Sequence, residues 1–252
     1  MKAIIKKTLI GLFAVAVLAG CSKDEDVNPE ENRTADFLLV AEKINGQTSF
    51  EMEYDKHNRL ITWKINNADG SVHIQRFTYD ENDRLVAHDR RTGGKIYLTE
   101  SYSYQNDDRP VSGIWTYISD KGDESVSLVQ YAYEQNTVTE TVLGETASIV
   151  NVYQFDEKGN SIVHQIGRGT FEYADYDDKR GIYARHPWSW KIKYTNNYQS
   201  VRTSLTSTGD LISDQRYEYT YNEAGYPVKA EVYDKQTDEL LEMREYSYKK
   251  AN

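Results

Sequence analysis

The side chains able to do chemistry in this chain are one cysteine, five histidines and forty carboxylates. His57, His73, His88, His164 and His186 are scattered, with no HxH or HExxH pair, so their spacing does not point to zinc. No GxSxG or other nucleophile motif is present. The carboxylates would permit an acid pair of the glycosidase kind, but spacing singles out no two of them, and in an acidic chain most are solvated faces. Asp175, Asp177 and Asp178, with Glu172 nearby, are dense hard-oxygen donors of the sort that hold Ca²⁺. They do not match an EF-hand loop, and a turn with solvated acids is expected there. The expectation is a protein that is not an enzyme, with no catalytic residue, metal or cofactor.

The aromatic residues offer more. Residues 168–199 break the pattern of the rest of the chain and hold Phe171, Tyr173, Tyr176, Tyr183, Trp188, Trp190, Tyr194 and Tyr198, beside Arg185 and His186. Long irregular connections in compact domains are often functional. Aromatic rings next to polar groups suit sugar rings or a protein partner. Trp188, Trp190, Tyr183 and Arg185 are therefore the candidate ligand-binding residues. The competing reading is that Trp188 and Trp190 alternate inward on a strand and pack the core.

Cys21 is the one residue whose surroundings specify a reaction. Lys2, Lys6 and Lys7 are followed by an apolar run from Leu9 to Ala19, and the small residues Ala19 and Gly20 precede the cysteine. That is the three-part layout of a secretory signal over residues 1–20, shorter than the roughly 20 apolar residues of a spanning helix. Leu18-Ala19-Gly20-Cys21 resembles the lipobox of bacterial lipoproteins, in which the sulfur takes a diacylglycerol and the freed amine an acyl chain such as palmitate. As the only cysteine, Cys21 excludes an intramolecular disulfide. Ser22-Lys23-Asp24-Glu25-Asp26 then resembles the acidic export signal of Bacteroidetes surface lipoproteins; the plainer reading is a solvated charged tether. Residues 21–36 read as the lipidated cysteine and a flexible acidic linker.

The net charge is −10, and −13 once the three lysines of residues 1–20 are removed. An acidic surface argues against nucleic acid and anionic membrane as partners. The membrane is reached through the lipid instead, and a glycan or protein partner remains.

Residues 37–252 supply the frame that must position these groups. An aromatic, a polar turn and a new strand recur as Tyr54-Asp55-Lys56-His57-Asn58-Arg59-Leu60, Tyr79-Asp80-Glu81-Asn82-Asp83-Arg84-Leu85 and Tyr104-Gln105-Asn106-Asp107-Asp108-Arg109-Pro110, each 25 residues after the last. Looser copies begin at Phe155, Tyr194 and Tyr221. A fixed period marks a repeated supersecondary unit. Asn58, Asp83, Asp108, Gly159 and Gly225 fall where a tight turn asks for positive φ. Between turns, apolar and polar residues alternate: Phe50, Met52 and Tyr54; Ile61, Trp63 and Ile65; Tyr217, Tyr219 and Tyr221. The apolar phase switches within Val72–Tyr79, which a β-bulge would reconcile. The pattern predicts about 15 strands in an all-β, antiparallel up-and-down meander, closed into a barrel or flattened into two layers so that no edge is exposed. Lys64, Arg76, Glu100, Glu140 and Glu231 interrupt the apolar alternation, so a soluble barrel is expected rather than a membrane-spanning one.

The Tyr-Asp…Arg-Leu units look like the YD repeats of RHS-type secreted proteins. The whole layout, over roughly 37–250, resembles a Bacteroidetes secreted lipoprotein family, domain of unknown function 4595. The shared features are the lipobox, the repeated Tyr-Asp turns and Tyr176-Asp177-Asp178-Lys179. That family usually continues Asn-Pro-Phe; here Arg180-Gly181-Ile182-Tyr183 follows. The resemblance implies a porin-like β-barrel fold and carries no catalytic residues. Taken together, the readings describe an outer-membrane lipoprotein, displayed on the cell surface, that binds glycan or protein. The alternatives are a structural or assembly component of the envelope, or a polysaccharide hydrolase with a carboxylate pair.

Overall fold

The computed structural model describes residues 37–145 and 147–252, and these contain no helix. Residues 1–36, with the signal, Cys21 and the Ser22–Asp26 stretch, lie outside them. The strands are β1 (Phe37–Ile44), β2 (Gln47–Tyr54), β3 (Leu60–Asn66), β4 (Val72–Tyr79), β5 (Leu85–Thr92), β6 (Lys95–Ser103), β7 (Ser112–Ile118), β8 (Glu124–Glu134), β9 (Thr137–Leu143), β10 (Ser148–Phe155), β11 (Ser161–Ile166), β12 (Gly169–Ala174), β13 (Ser200–Leu205), β14 (Leu211–Tyr221), β15 (Pro227–Asp234) and β16 (Leu240–Lys250). Each pairs antiparallel with the next, and β16 returns to β1 from Phe37↔Lys250 to Ile44↔Arg244. The meander therefore has 16 described strands and closes as a barrel, which leaves no edge open.

The alternation decides which side is inside. Phe50, Met52, Phe77, Tyr102, Val129, Val142, Tyr217 and Tyr246 are buried in the lumen, and their cross-strand partners share that face. Two expectations change. Val72–Tyr79 keeps one phase: its register is unbroken with β3 over Val72–Arg76 and with β5 as far as Thr78, where the shift inserts Val86 on β5, so His73, Gln75, Phe77 and Tyr79 face inward while Val72 and Ile74 face out. Glu100 and Glu140 do not interrupt the outer wall either; they point into the lumen and are buried. Lys64 pairs with Glu51 at 2.7 Å and Lys229 with Glu231 at 2.7 Å on the outside.

The two rims differ. One carries glycine turns at Gly46, Gly70, Gly94, Gly122 and Gly209, all with positive φ. The other carries the Tyr-Asp turns, with Asn58, Asp83, Gly159 and Gly225 in the left-handed region, as their spacing predicts. Asp108 is not. Its repeat has Gln105 where the others have Asp, so the turn is organised by Asp107, which accepts from the Arg109 side chain at 2.6 Å.

The repeat works as a staple between neighbouring hairpins. Within the turn, Asp80 accepts from the amides of Asn82 and Arg84 at 3.0 and 2.9 Å and pairs with the Arg84 side chain at 2.8 Å. Asp55 does the same with His57 and Arg59. Each repeat tyrosine then donates its hydroxyl to a carbonyl of the preceding unit: Tyr79 to Leu60 at 2.9 Å, Tyr104 to Leu85 at 2.7 Å and Tyr133 to Pro110 at 2.7 Å. The arginine lies over the next tyrosine, Arg59 on Tyr79 at 5.0 Å, Arg84 on Tyr104 at 4.7 Å and Arg109 on Tyr133 at 4.5 Å, within cation–π range. At the seam, Tyr248 donates to Pro227 and Tyr54 to Leu39.

Candidate functional site

Sixteen strands enclose a lumen too wide for wall side chains alone to fill. The connection between β12 and β13, residues 175–199, turns into it from the Tyr-Asp rim as a plug. The base of the plug is tied by short polar side chains. The Asp177 carboxylate accepts from the amides of Lys179 and Asn197 at 2.9 and 3.1 Å and from the Tyr221 hydroxyl. Asn197 accepts from the Ile182 amide at 3.0 Å and donates to the Arg180 carbonyl at 2.9 Å. Asn160 accepts from the Asn196 amide at 2.8 Å. At Gly181 a Cβ would lie 1.9 Å from the Tyr194 carbonyl oxygen, so only glycine fits. The Tyr-Asp-Asp-Lys stretch thus anchors the plug. Asp178 is exposed and pairs with Lys179 at 3.0 Å. Among the described residues no three His, Cys, Asp or Glu side chains come together as a metal ion would require.

The plug tip carries three of the four candidate binding residues into one cluster. The Trp188 indole N–H donates to the Tyr102 hydroxyl at 2.7 Å, and its ring meets Phe77 and His88 edge-on at 5.3 and 4.8 Å. Trp190 packs against Tyr102 at 5.1 Å and Tyr131 at 6.2 Å. Both tryptophans are buried. Tyr183, half-buried, stands 6.4 Å from both Phe50 and Trp63. Arg185 alone is exposed, beside a cavity of about 30 Å³ shared with Tyr183 and His186, room for about one water. The surface aromatic platform expected from 168–199 is therefore not formed. The segment turns inward because the lumen needs filling, and its tryptophans pack the core from turns rather than from a strand.

The charged centre of the plug was not singled out by sequence. Lys191 is buried against Glu140, which also accepts from Asn151 at 2.9 Å and Tyr153 at 3.1 Å. Its ammonium lies 5.7–5.9 Å from the ring centres of Tyr153, Tyr131, Trp115 and Trp188, a four-sided aromatic cage. A second centre holds Glu100, which accepts from the Tyr102 hydroxyl and from Arg90 at 3.0 Å. Burial alone would raise the Glu100 carboxyl; the facing His88 and Arg90 outweigh it and hold it at about 2. Burial, with Lys191 nearby, pushes His164 down to about 4 and His186 down to about 3, and burial lowers His88 as well. The only signal in the sequence was a carboxylate at an inward position, at Glu100 and again at Glu140.

At the glycine-turn rim the lumen opens into a groove of about 610 Å³. Tyr97 and Tyr117 form its aromatic lip, with Thr92, Lys95, Ser119 and Asp120 around them. A register shift pairs Arg90 with Leu98 but Arg91 with Ile96, leaving Tyr97 as the extra residue; bulges re-aim side chains in this way. Tyr97 meets His73 edge-on at 6.0 Å, and His73 bonds the Thr92 hydroxyl at 2.8 Å. Tyr117 is 55% exposed at this rim. Two residues deeper on the same face is Trp115, whose indole nitrogen is buried without a protein acceptor.

The RHS repeat family matches residues 54–95, the span of the first two Tyr-Asp turns. No curated protein matches the chain. Among solved structures the chain is similar to a porin-like protein from Bacteroides vulgatus ATCC 8482, at 13% identity over 84% of this chain and 97% of that one, with a TM-score of 0.46. It is also similar to a porin-like protein from Bacteroides uniformis ATCC 8492, at 14% identity over 79% and 76% of the two chains, with a TM-score of 0.32.

Proposed function

We propose that this protein is an envelope lipoprotein, held by acyl chains on Cys21, that binds a glycan without turning it over, at the mouth of its barrel. The observation that carries the binding reading is the rim groove. It sets the rings of Tyr97 and Tyr117 beside hydroxyl, ammonium and carboxylate groups, the combination that stacks on a sugar face while bonding its hydroxyls. Non-catalytic binding fits the lumen carboxylates, because Glu100 is committed to Arg90 and Glu140 to the buried Lys191. The lipobox and the Tyr-Asp turns support membership of the Bacteroidetes lipoprotein family named above, and the acidic stretch after Cys21 supports display on the outer-membrane surface. Ion pairs on the outer wall support a lipid-held rather than a spanning barrel.

Glycan-array binding by the acylated protein tests the site. Tyr97→Ala and Tyr117→Ala are each expected to weaken binding at least tenfold; unchanged binding in both removes the groove from consideration. Cys21→Ala is expected to release the protein from the membrane fraction, and retention there would sink the lipid-anchor reading.

A further inference from the structure

Most of the outer wall is charged at mid-strand. Glu51 and Lys64 face out on β2 and β3, Asp89 and Arg91 on β5, Glu172 and Arg202 on β12 and β13, and Arg216 and Glu218 on β14. The wall from β6 to β11 is different. Val129, Tyr131, Glu140, Val142, Asn151 and Tyr153 point inward, so the residues between them point out. Apart from Glu124 and Glu134 at strand ends, no outward position on these six strands is charged. They are Ser, Thr, Gln, Ala, Val, Ile and Leu, in a chain of which 28% is charged. Ile114, Leu128 and Leu143 align as one cross-strand row. Ile114, Val126, Leu128 and Val150 are between 44% and 58% exposed, which makes this a patch rather than scattered residues. Ile212, Leu241 and Met243 are also exposed, but Met243 faces Glu231 across the ladder and Glu245 follows on the same face.

We propose that the β6–β11 wall is the contact between two copies of this chain. Charge is the first argument. Two copies of a chain at −13 after loss of residues 1–20 repel each other, least where the facing surfaces carry no charge. Chemistry is the second. A face of methyls and hydroxyls is complementary to itself, as an isologous two-fold contact requires, and loss of charge is the compositional mark of an interface centre. Size is the third. Six strands at about 4.8 Å spacing and about 22 Å of strand length give on the order of 600 Å² of projected wall, the scale of the about 800 Å² per partner of a stable interface. Lipid is the poorer occupant, because threonine and glutamine recur across the face and only six of sixteen strands share it.

The acylated protein in detergent micelles gives the test, with its protein mass read by light scattering across a concentration series. The expected result is a dimer whose dissociation constant rises at least tenfold in Leu128→Glu and in Val150→Glu, with circular dichroism unchanged. In intact membranes, Leu128→Cys should give a reducible dimer on oxidation, whereas the unmodified chain and Thr78→Cys, on the charged wall at β4, should not. A monomer at every concentration overturns the proposal. So does a dimer whose dissociation constant in both glutamate variants is unchanged from that of the unmodified chain, or cross-linking through Thr78→Cys and not through Leu128→Cys.

Discussion

The Trp188 indole N–H reaches the Tyr102 hydroxyl at 2.7 Å, across 86 residues of chain, and ties the tip of the plug to the barrel wall. Tyr102 passes the bond on to Glu100, and Arg90 closes the chain from the next strand. The plug is thereby part of the core, and its removal would leave Glu140 without the Lys191 ammonium.

Breaking that bond from either side should cost stability. Trp188→Phe removes the donor and keeps most of the ring; Tyr102→Phe strands the indole N–H and one oxygen of Glu100. Each is expected to cost about 1–3 kcal/mol, and the double variant less than the sum. Urea titration of the four proteins measures the coupling, and simple additivity would show that the two groups do not act together.

Lys191 and Glu140 are a buried ion pair in which either charge alone is worse than none. Lys191→Met is expected to cost about 3–5 kcal/mol because it leaves a buried carboxylate uncompensated. Adding Glu140→Gln should recover most of that loss, since Asn151 and Tyr153 still face a polar group. A double variant less stable than Lys191→Met would contradict the pairing.

Stability should fall on mild acidification. The folded values of His164 and His186 lie near 4 and 3, below the ordinary 6.5. The unfolded chain therefore binds protons that the folded chain refuses, and the stability held above pH 6.5 is lost as pH falls from 6.5 towards 4. For His164 this amounts to on the order of 3 kcal/mol. Glu100, depressed to about 2, adds a further loss only below the usual carboxylate range. Glu42, raised by burial, acts in the opposite sense around its own titration. Chemical denaturation at pH 7.5, 6, 5 and 4 reads the slope; a curve level down to pH 5 would mean that these histidines take up protons in the folded state.

The repeat tyrosines should matter through their hydroxyls. Tyr79→Phe removes the bond to the Leu60 carbonyl and keeps the ring under Arg59, so a loss of about 1 kcal/mol is expected. Tyr117→Phe, at the open rim, should change stability by no more than a few tenths. Thermal or urea unfolding compares the two directly.

Much of the fold was legible because its causes are local. The Asp80 carboxylate caps amides two and four residues on, so the Tyr-Asp turns announce themselves by composition and spacing. Asp108 shows the limit: its position matched, but Gln105 cannot form the same cap, and the turn was rebuilt around Asp107. Tyr133, a further staple without the Asp after it, was missed for the same reason. Period-two alternation placed Phe50, Met52 and Tyr217 correctly. In β4 the apparent phase switch was outward Val72 and Ile74, which no strand considered alone distinguishes from a bulge.

By itself the sequence determined the antiparallel meander, the turn chemistry and the expectation of an acyl anchor at Cys21, since each rests on neighbours within a few residues. Closure at sixteen strands, the inward course of residues 175–199, the buried Lys191–Glu140 pair and the uncharged wall from β6 to β11 were decided only in three dimensions. The reason is geometric. Whether an inward carboxylate is solvated or paired, and whether a tryptophan is a platform or a filler, depends on how wide the lumen is, and that width exists only once the last strand has found the first.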